Sequence, residues 1–193
     1  EITSDPVRRV ILDGVTRMVE GETEQTLAAL SGRELGLEEY LAIIADKTAE
    51  FFGAACEAGA VVGGATSTAR AALRRFGVEF GVVFQMVDDI LDWSADPGVL
   101  GKARHADIRG GKLTLPLFLF LDEDPVVARN LVACAADGAV EPLAEEIARR
   151  GYLARARRLA ERRAAAARIA LREAGGDAGM LEAILDYSIG RCS

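Results

Sequence analysis

The chain has 193 residues, half of them hydrophobic and only 6% aromatic, a mixture that suits one domain of packed helices better than sheets. Its formal charge of −7 argues against a nucleic-acid or anionic-membrane partner, since those need a basic face. The cysteines Cys56, Cys134 and Cys192 are far apart and odd in number, which excludes a disulfide framework or a metal-ligand spacing. They predict a reducing, cytoplasmic setting in which each is a small buried hydrophobe.

Ser4 or Asp5 can cap a first helix with Pro6 in its first turn. Val7, Val10, Ile11, Val15, Met18 and Val19 then form a helical stripe that continues toward Leu27 and Leu30 and breaks at Ser31-Gly32. A second helix starts near Leu37 or Glu38, runs through Lys47 to about Val62 and stops at Gly63-Gly64. Within it, residues 51–65 are interrupted by Glu57 and glycines, so they read as a buried helix and not a membrane span. No signal peptide is visible.

Thr66 or Ser67 caps a third helix, which ends near Ser94, before Asp96-Pro97-Gly98. Residues 96–114 have the composition of a long loop. Short helices follow over residues 115–121, 125–135 and 142–150, and a longer one over 152–174. Asp177 caps a last helix that reaches about Gly190. With no strand pattern, internal repeat or linker, residues 1–193 read as a single all-α domain.

The chemistry concentrates in Phe84-Gln85-Met86-Val87-Asp88-Asp89-Ile90-Leu91-Asp92. Asp88 and Asp92 lie one turn apart on one helical face, where they repel unless a cation lies between them. The bland alternative is a solvated acidic patch. Against it, Phe84, Met86, Val87, Ile90, Leu91 and Trp93 surround the carboxylates, and buried carboxylates need partners. An oxygen donor set without nearby His or Cys points to Mg²⁺, with Mn²⁺ as a substitute.

Of 23 basic residues only Lys47, Lys102 and Lys112 are lysines. Two of them follow the aspartates, where compact, flexible charges suit an anion such as a diphosphate. His105, the sole histidine, reads as a solvated loop side chain. Gly110-Gly111 can cradle a phosphate or simply allow a tight loop. The arginine-rich residues 149–168, offset from an alanine stripe, read as a solvated helix face.

The ordered pattern Phe84-Gln85-x-x-Asp88-Asp89-x-x-Asp92, Gly101-Lys102, Asp107 and Gly111-Lys112-x-Thr114-x-Pro116 resembles the second aspartate-rich region of the trans-prenyl diphosphate synthases, or polyprenyl synthetases. Upstream, Gly21-Glu22-x-x-Gln25 and Lys47-Thr48-Ala49 resemble two further helices of that family. The resemblance runs from about Gly21 to Pro116 and continues more loosely beyond. It implies an isoprenoid-synthase-type helical bundle and an enzyme that condenses isopentenyl diphosphate with an allylic prenyl diphosphate, Mg²⁺-dependent, through an allylic carbocation.

By that resemblance Asp88 would bind a Mg²⁺ holding the allylic diphosphate, and Asp92 would support the ion directly or through water. Asp89, about a hundred degrees round the helix, would orient water or a neighbouring cation. Lys47 and Lys102 would contact diphosphate oxygens, and Lys112 would close the loop over them. Thr48 and Gln85 would line the reaction centre, Phe84 would pack near the isopentenyl group, and Gln25 would sit beside the allylic substrate. Metal and lysines would stabilise the leaving diphosphate, and an apolar pocket would protect the cation from water.

The family's other aspartate-rich motif has no counterpart in residues 1–83, where Asp5, Asp13 and Asp46 are isolated, and the chain starts at Glu1 without Met. The resemblance therefore implies a C-terminal portion: a partial bundle without the N-terminal helices, less stable than a complete synthase. It can be a fragment, one chain of a split synthase whose partner chain brings the first motif, or a non-catalytic regulatory subunit. A Mg²⁺-dependent terpene cyclase shares the helical pocket, but the Gly-Lys loop fits chain elongation better. The family expectation is a homodimer, and product length stays open.

Overall fold

The computed structural model describes residues 5–31, 33–94 and 105–192, and no strand occurs among them. In chain order they form α1 (Asp5–Ser31), α2 (Leu37–Ile44), a π-helical turn (Ala45–Ala49), α3 (Glu50–Val62) and α4 (Ser67–Ser94). Then come α5 (Ala106–Arg109), α6 (Leu115–Glu123), α7 (Pro125–Ala136), α8 (Glu141–Arg149), α9 (Tyr152–Ala174) and α10 (Gly179–Gly190). The predicted start at Thr66 is capped by its side chain, whose Oγ1 accepts from Ala69 N at 3.2 Å; at α10 the N-cap is Ala178 in place of Asp177, whose Oδ1 accepts from Gly179 N at 3.0 Å. Gly101 and Lys102 lie outside the described residues.

Helix α4 is the axis of the fold. On one flank α9 lays down its alanine stripe, with Ala156, Ala160, Ala164, Ala167 and Ala170 all buried. Three of the arginines beside that stripe form ion pairs: Arg163 with Glu79 at 3.3 Å, Arg168 with Asp186 and Arg155 with Glu123. On the other flank α3 and the π-turn approach so closely that a Cβ on Gly77 would lie 2.4 Å from Phe52 O, and one on Gly81 2.5 Å from Ala49 Cα. Any larger residue would force the helices apart.

Helix α1 corrects a sequence expectation. Its buried residues are Val7, Gly14, Gly21 and Ala28, spaced seven apart, a repeat that keeps one seam of a helix on its neighbour. A Cβ on Gly21 would meet Lys47 N at 2.4 Å. Of the predicted apolar stripe, Val7 is buried but Val19 is exposed, and Leu30 is 81% exposed. Periodicity ranks residues by hydrophobicity, whereas close helix contact selects for smallness. Two more differences stand beside it. Cys134 is exposed and Cys56 only half-buried, leaving Cys192 alone in the expected role. Phe51 at the start of α3 is likewise exposed. No helix among the described residues is long and apolar enough to cross a membrane.

Candidate functional site

Where α2, the π-turn, α4 and the start of α6 meet, a buried polar network replaces apolar packing. Asp89 is its centre. Its Oδ2 accepts from Tyr40 Oη at 2.6 Å and from Leu115 N at 2.8 Å, and its Oδ1 accepts from Gln85 Nε2 at 3.0 Å. Gln85 Oε1 in turn accepts from Thr48 Oγ1 at 3.2 Å. Burial pushes the Asp89 carboxyl up to about 6, against the opposing pull of the Tyr40, Gln85 and Leu115 donors. Burial, then the charge of Asp89, raises the Tyr40 hydroxyl as well.

Helix α6 owes its placement to this carboxylate. Pro116 in its first turn brings no N–H, so Leu115 N is the donor that Asp89 satisfies. Thr114, the residue before the helix, accepts from Trp93 Nε1 at 2.6 Å through its Oγ1. The Gly111-Lys112-x-Thr114-x-Pro116 motif is thus partly a device for joining α6 to α4. Lys112 itself is exposed.

The two predicted metal-binding carboxylates share a face but differ in access. Asp88 is 36% exposed, with Arg191 Nη2 at 3.9 Å from its Oδ1. Asp92 is fully buried; its Oδ2 lies 3.4 Å from Asp107 N, and its carbonyl accepts from His105 N at 3.1 Å. Asp89 has protein donors on both of its oxygens. No group of three or more His, Cys, Asp or Glu arranged for a metal ion occurs among the described residues. A pair of carboxylates still fits Mg²⁺, which takes one or two from protein and its other oxygens from phosphate and water.

Lys47 sits in the π-turn, a distortion that inserts an extra residue into a helix and often marks functional sites. Its Nζ donates to Gln25 Oε1 at 2.7 Å and pairs with Glu22 Oε2 at 3.3 Å. The Gly21-Glu22-x-x-Gln25 segment is therefore the seat of Lys47: the glycine lets α1 touch its backbone, and the two polar side chains hold its ammonium. Phe84 packs 5.6 Å from the Phe52 ring, which is 5.0 Å from that of Phe80, and Arg191 lies 5.6 Å over Phe84. Gln25, Arg33, Tyr40, Gly111 and Lys112 share the lining of a cleft of about 440 Å³.

His105 overturns its expectation. It is 9% exposed, with its ring 5.0 Å from that of Trp93, and it holds a left-handed backbone at φ 57°. Local polarity suggested solvent, but the indole from α4 covers it. Tyr40 and Arg191 escaped sequence reasoning. A tyrosine on a helical face with Leu37, Ile43 and Ile44 implies a buried hydroxyl needing a partner, and that signal marks Tyr40; nothing local marks Arg191.

Residues 3–147 match the polyprenyl synthetase family. The chain belongs to that family. Among curated relatives, octaprenyl diphosphate synthase of Haemophilus influenzae is 37% identical over 117 residues, covering 61% of this chain and 35% of the relative. Geranylgeranyl diphosphate synthase of Mycobacterium tuberculosis is 41% identical over 100 residues, 52% of this chain and 29% of that protein. A heptaprenyl diphosphate synthase from Staphylococcus aureus superposes with a TM-score of 0.88 at 20% identity, covering 99% of this chain and 61% of that one. A Caulobacter crescentus polyprenyl synthase, solved with calcium and isoprenyl diphosphate, gives 0.83 at 32% identity, with coverage of 100% and 61%. The all-α fold of the isoprenoid synthases is thereby shared, and the matched stretch spans about a third of the curated relatives' length.

Proposed function

We propose that this polyprenyl synthetase chain carries the diphosphate-ionising wall of a prenyltransferase that joins isopentenyl diphosphate to an allylic prenyl diphosphate. The observation that supports it best is the Thr48–Gln85 hydrogen bond of 3.2 Å. It draws the Lys47-Thr48 pair of the π-turn against the helix that bears Asp88 and Asp92.

Each group suits one part of that chemistry. Lys47, held by Gln25 and Glu22, is a cation poised for diphosphate oxygens, and Lys112 is an exposed one on the adjoining loop. Lys102 keeps the same role by resemblance. Asp88 would hold a Mg²⁺ or Mn²⁺ with Asp92 behind it, and the ion would supply charge neutralisation to the departing diphosphate. Phe52, Phe80 and Phe84 give an apolar wall that keeps water from an allylic cation. Gln85 and Thr48 offer oxygen lone pairs to the same cation. The released diphosphate takes the proton, so no enzymic base is required. A homodimer or a partner chain bringing the first aspartate-rich motif completes the proposal.

The test is a Mg²⁺-dependent transfer assay with labelled isopentenyl diphosphate and C5, C10 and C15 allylic diphosphates, paired with calorimetric binding of each allylic diphosphate. Turnover, or metal-dependent binding, that disappears in Asp88→Ala supports the reading. Binding that is absent, or unchanged by the substitution, sinks it in favour of a non-catalytic helical subunit.

A further inference from the structure

We propose that Asp89 and Tyr40 form a positioning pair that fixes which way the Gln85 amide faces, so that its carbonyl oxygen is presented toward Thr48 and the reaction centre. The inference rests on the proposed prenyl transfer. It assigns to Asp89 a task distinct from holding a metal or its water.

An ionised carboxylate only accepts hydrogen bonds, whereas a glutamine amide has one end that donates and one that accepts. Asp89 Oδ1 lies 3.0 Å from Gln85 Nε2. Turning the amide over would set its carbonyl oxygen against a carboxylate oxygen at about that separation, two acceptors facing each other in a half-buried setting. Thr48 gives no such direction, because its hydroxyl donates or accepts equally well. The orientation of Gln85 is thus decided at Asp89.

The carboxylate itself cannot swing away. Its other oxygen accepts at once from Tyr40 Oη at 2.6 Å and from Leu115 N at 2.8 Å, donors supplied by two different helices, α2 and α6. The consequence is chemical. A carbonyl oxygen beside an allylic carbocation stabilises positive charge, and an amide NH₂ in its place opposes it. Gln85 would touch the cation, and Asp89 and Tyr40 would act through it.

The first test needs no turnover. In the full chain, the side-chain amide protons of Gln85 are expected to be protected from hydrogen exchange by NMR. Asp89→Asn, nearly the same shape but able to face either end of the amide, should remove that protection or split the resonance. Tyr40→Phe, which leaves the Gln85 contact in place, should raise exchange less. A Gln85 amide that exchanges freely in the unsubstituted chain overturns the proposal, even if Asp89→Asn fails to fold. The second test is kinetic. Asp89→Asn should lower kcat on the order of 10²-fold with little change in KM, and should lower it no further in a Gln85→Met background. Equal losses in both backgrounds would mean that Asp89 acts only structurally. A chain without turnover would count against the prenyl-transfer reading alone, because amide exchange still decides the positioning role.

Discussion

Carboxylates stand at both ends of helix α6, in opposite surroundings. At its start, Asp89 receives Leu115 N, Tyr40 and Gln85 away from solvent. At its finish, Asp124 caps α7 through Val127 N at 3.3 Å and accepts from Arg150 at 3.0 Å. There Arg149 and Arg150 both bond Glu146, and Arg150 lies 5.0 Å over the Phe120 ring. Burial drives Asp89 up to about 6, while hydrogen bonds from Arg149 and Arg150 draw Glu146 down to about 2. Identical functional groups therefore differ in what they can do. Solvent replaces any partner lost at the outer end, but nothing replaces one lost at the inner end.

The largest expected effect is at the buried end. Asp89→Ala strands three donors, and we expect it to lower stability by about 3 kcal/mol by urea denaturation. An unchanged midpoint would break the contrast between the two ends. Tyr40→Phe removes a single bond from the same carboxylate and should cost about 1 kcal/mol. Its hydroxyl leaves the ring contact with Phe118, 4.7 Å between centroids, undisturbed, so a much larger loss would implicate packing instead.

How much of this could be read from the sequence follows the same division. The helix start at Thr66 and the full extent of residues 152–174 were legible, because caps and spacing are local. The Tyr40–Asp89–Leu115 junction was not, since its members are 49 and 26 residues apart and each is ordinary alone. The π-turn was also invisible: residues 37–62 read as one uninterrupted helix, and the extra residue at Ala45–Ala49 shows only once α1 and α4 are packed on it. The α1 seam failed in a different way, because Gly14 and Gly21 carry no hydrophobic signal. Burial of His105 depended on Trp93, twelve positions back, folding over it.

At the outer end Arg150→Ala should have a smaller effect than Tyr40→Phe in the same denaturation series, through lost cover of Phe120 as much as lost charge. Equal or greater loss would show that the surface cluster, not the buried one, anchors α6.

The smallest effect carries the clearest sign. Glu146 holds its proton less tightly when folded, because Arg149 and then Arg150 bond its ionised form; its carboxyl moves from the ordinary 4.5 to about 2. A depressed carboxyl contributes stability above its unfolded value and loses it as pH falls toward its folded one. The gap between the unsubstituted chain and Glu146→Gln should thus be constant above about pH 5. It should narrow as pH falls below 4.5, and added salt should shrink it at neutral pH because the group is partly exposed. A gap that persists undiminished at pH 3 would mean that shape, rather than charge, ties Glu146 to its arginines. The outer end of α6 would then differ from the inner one in degree only.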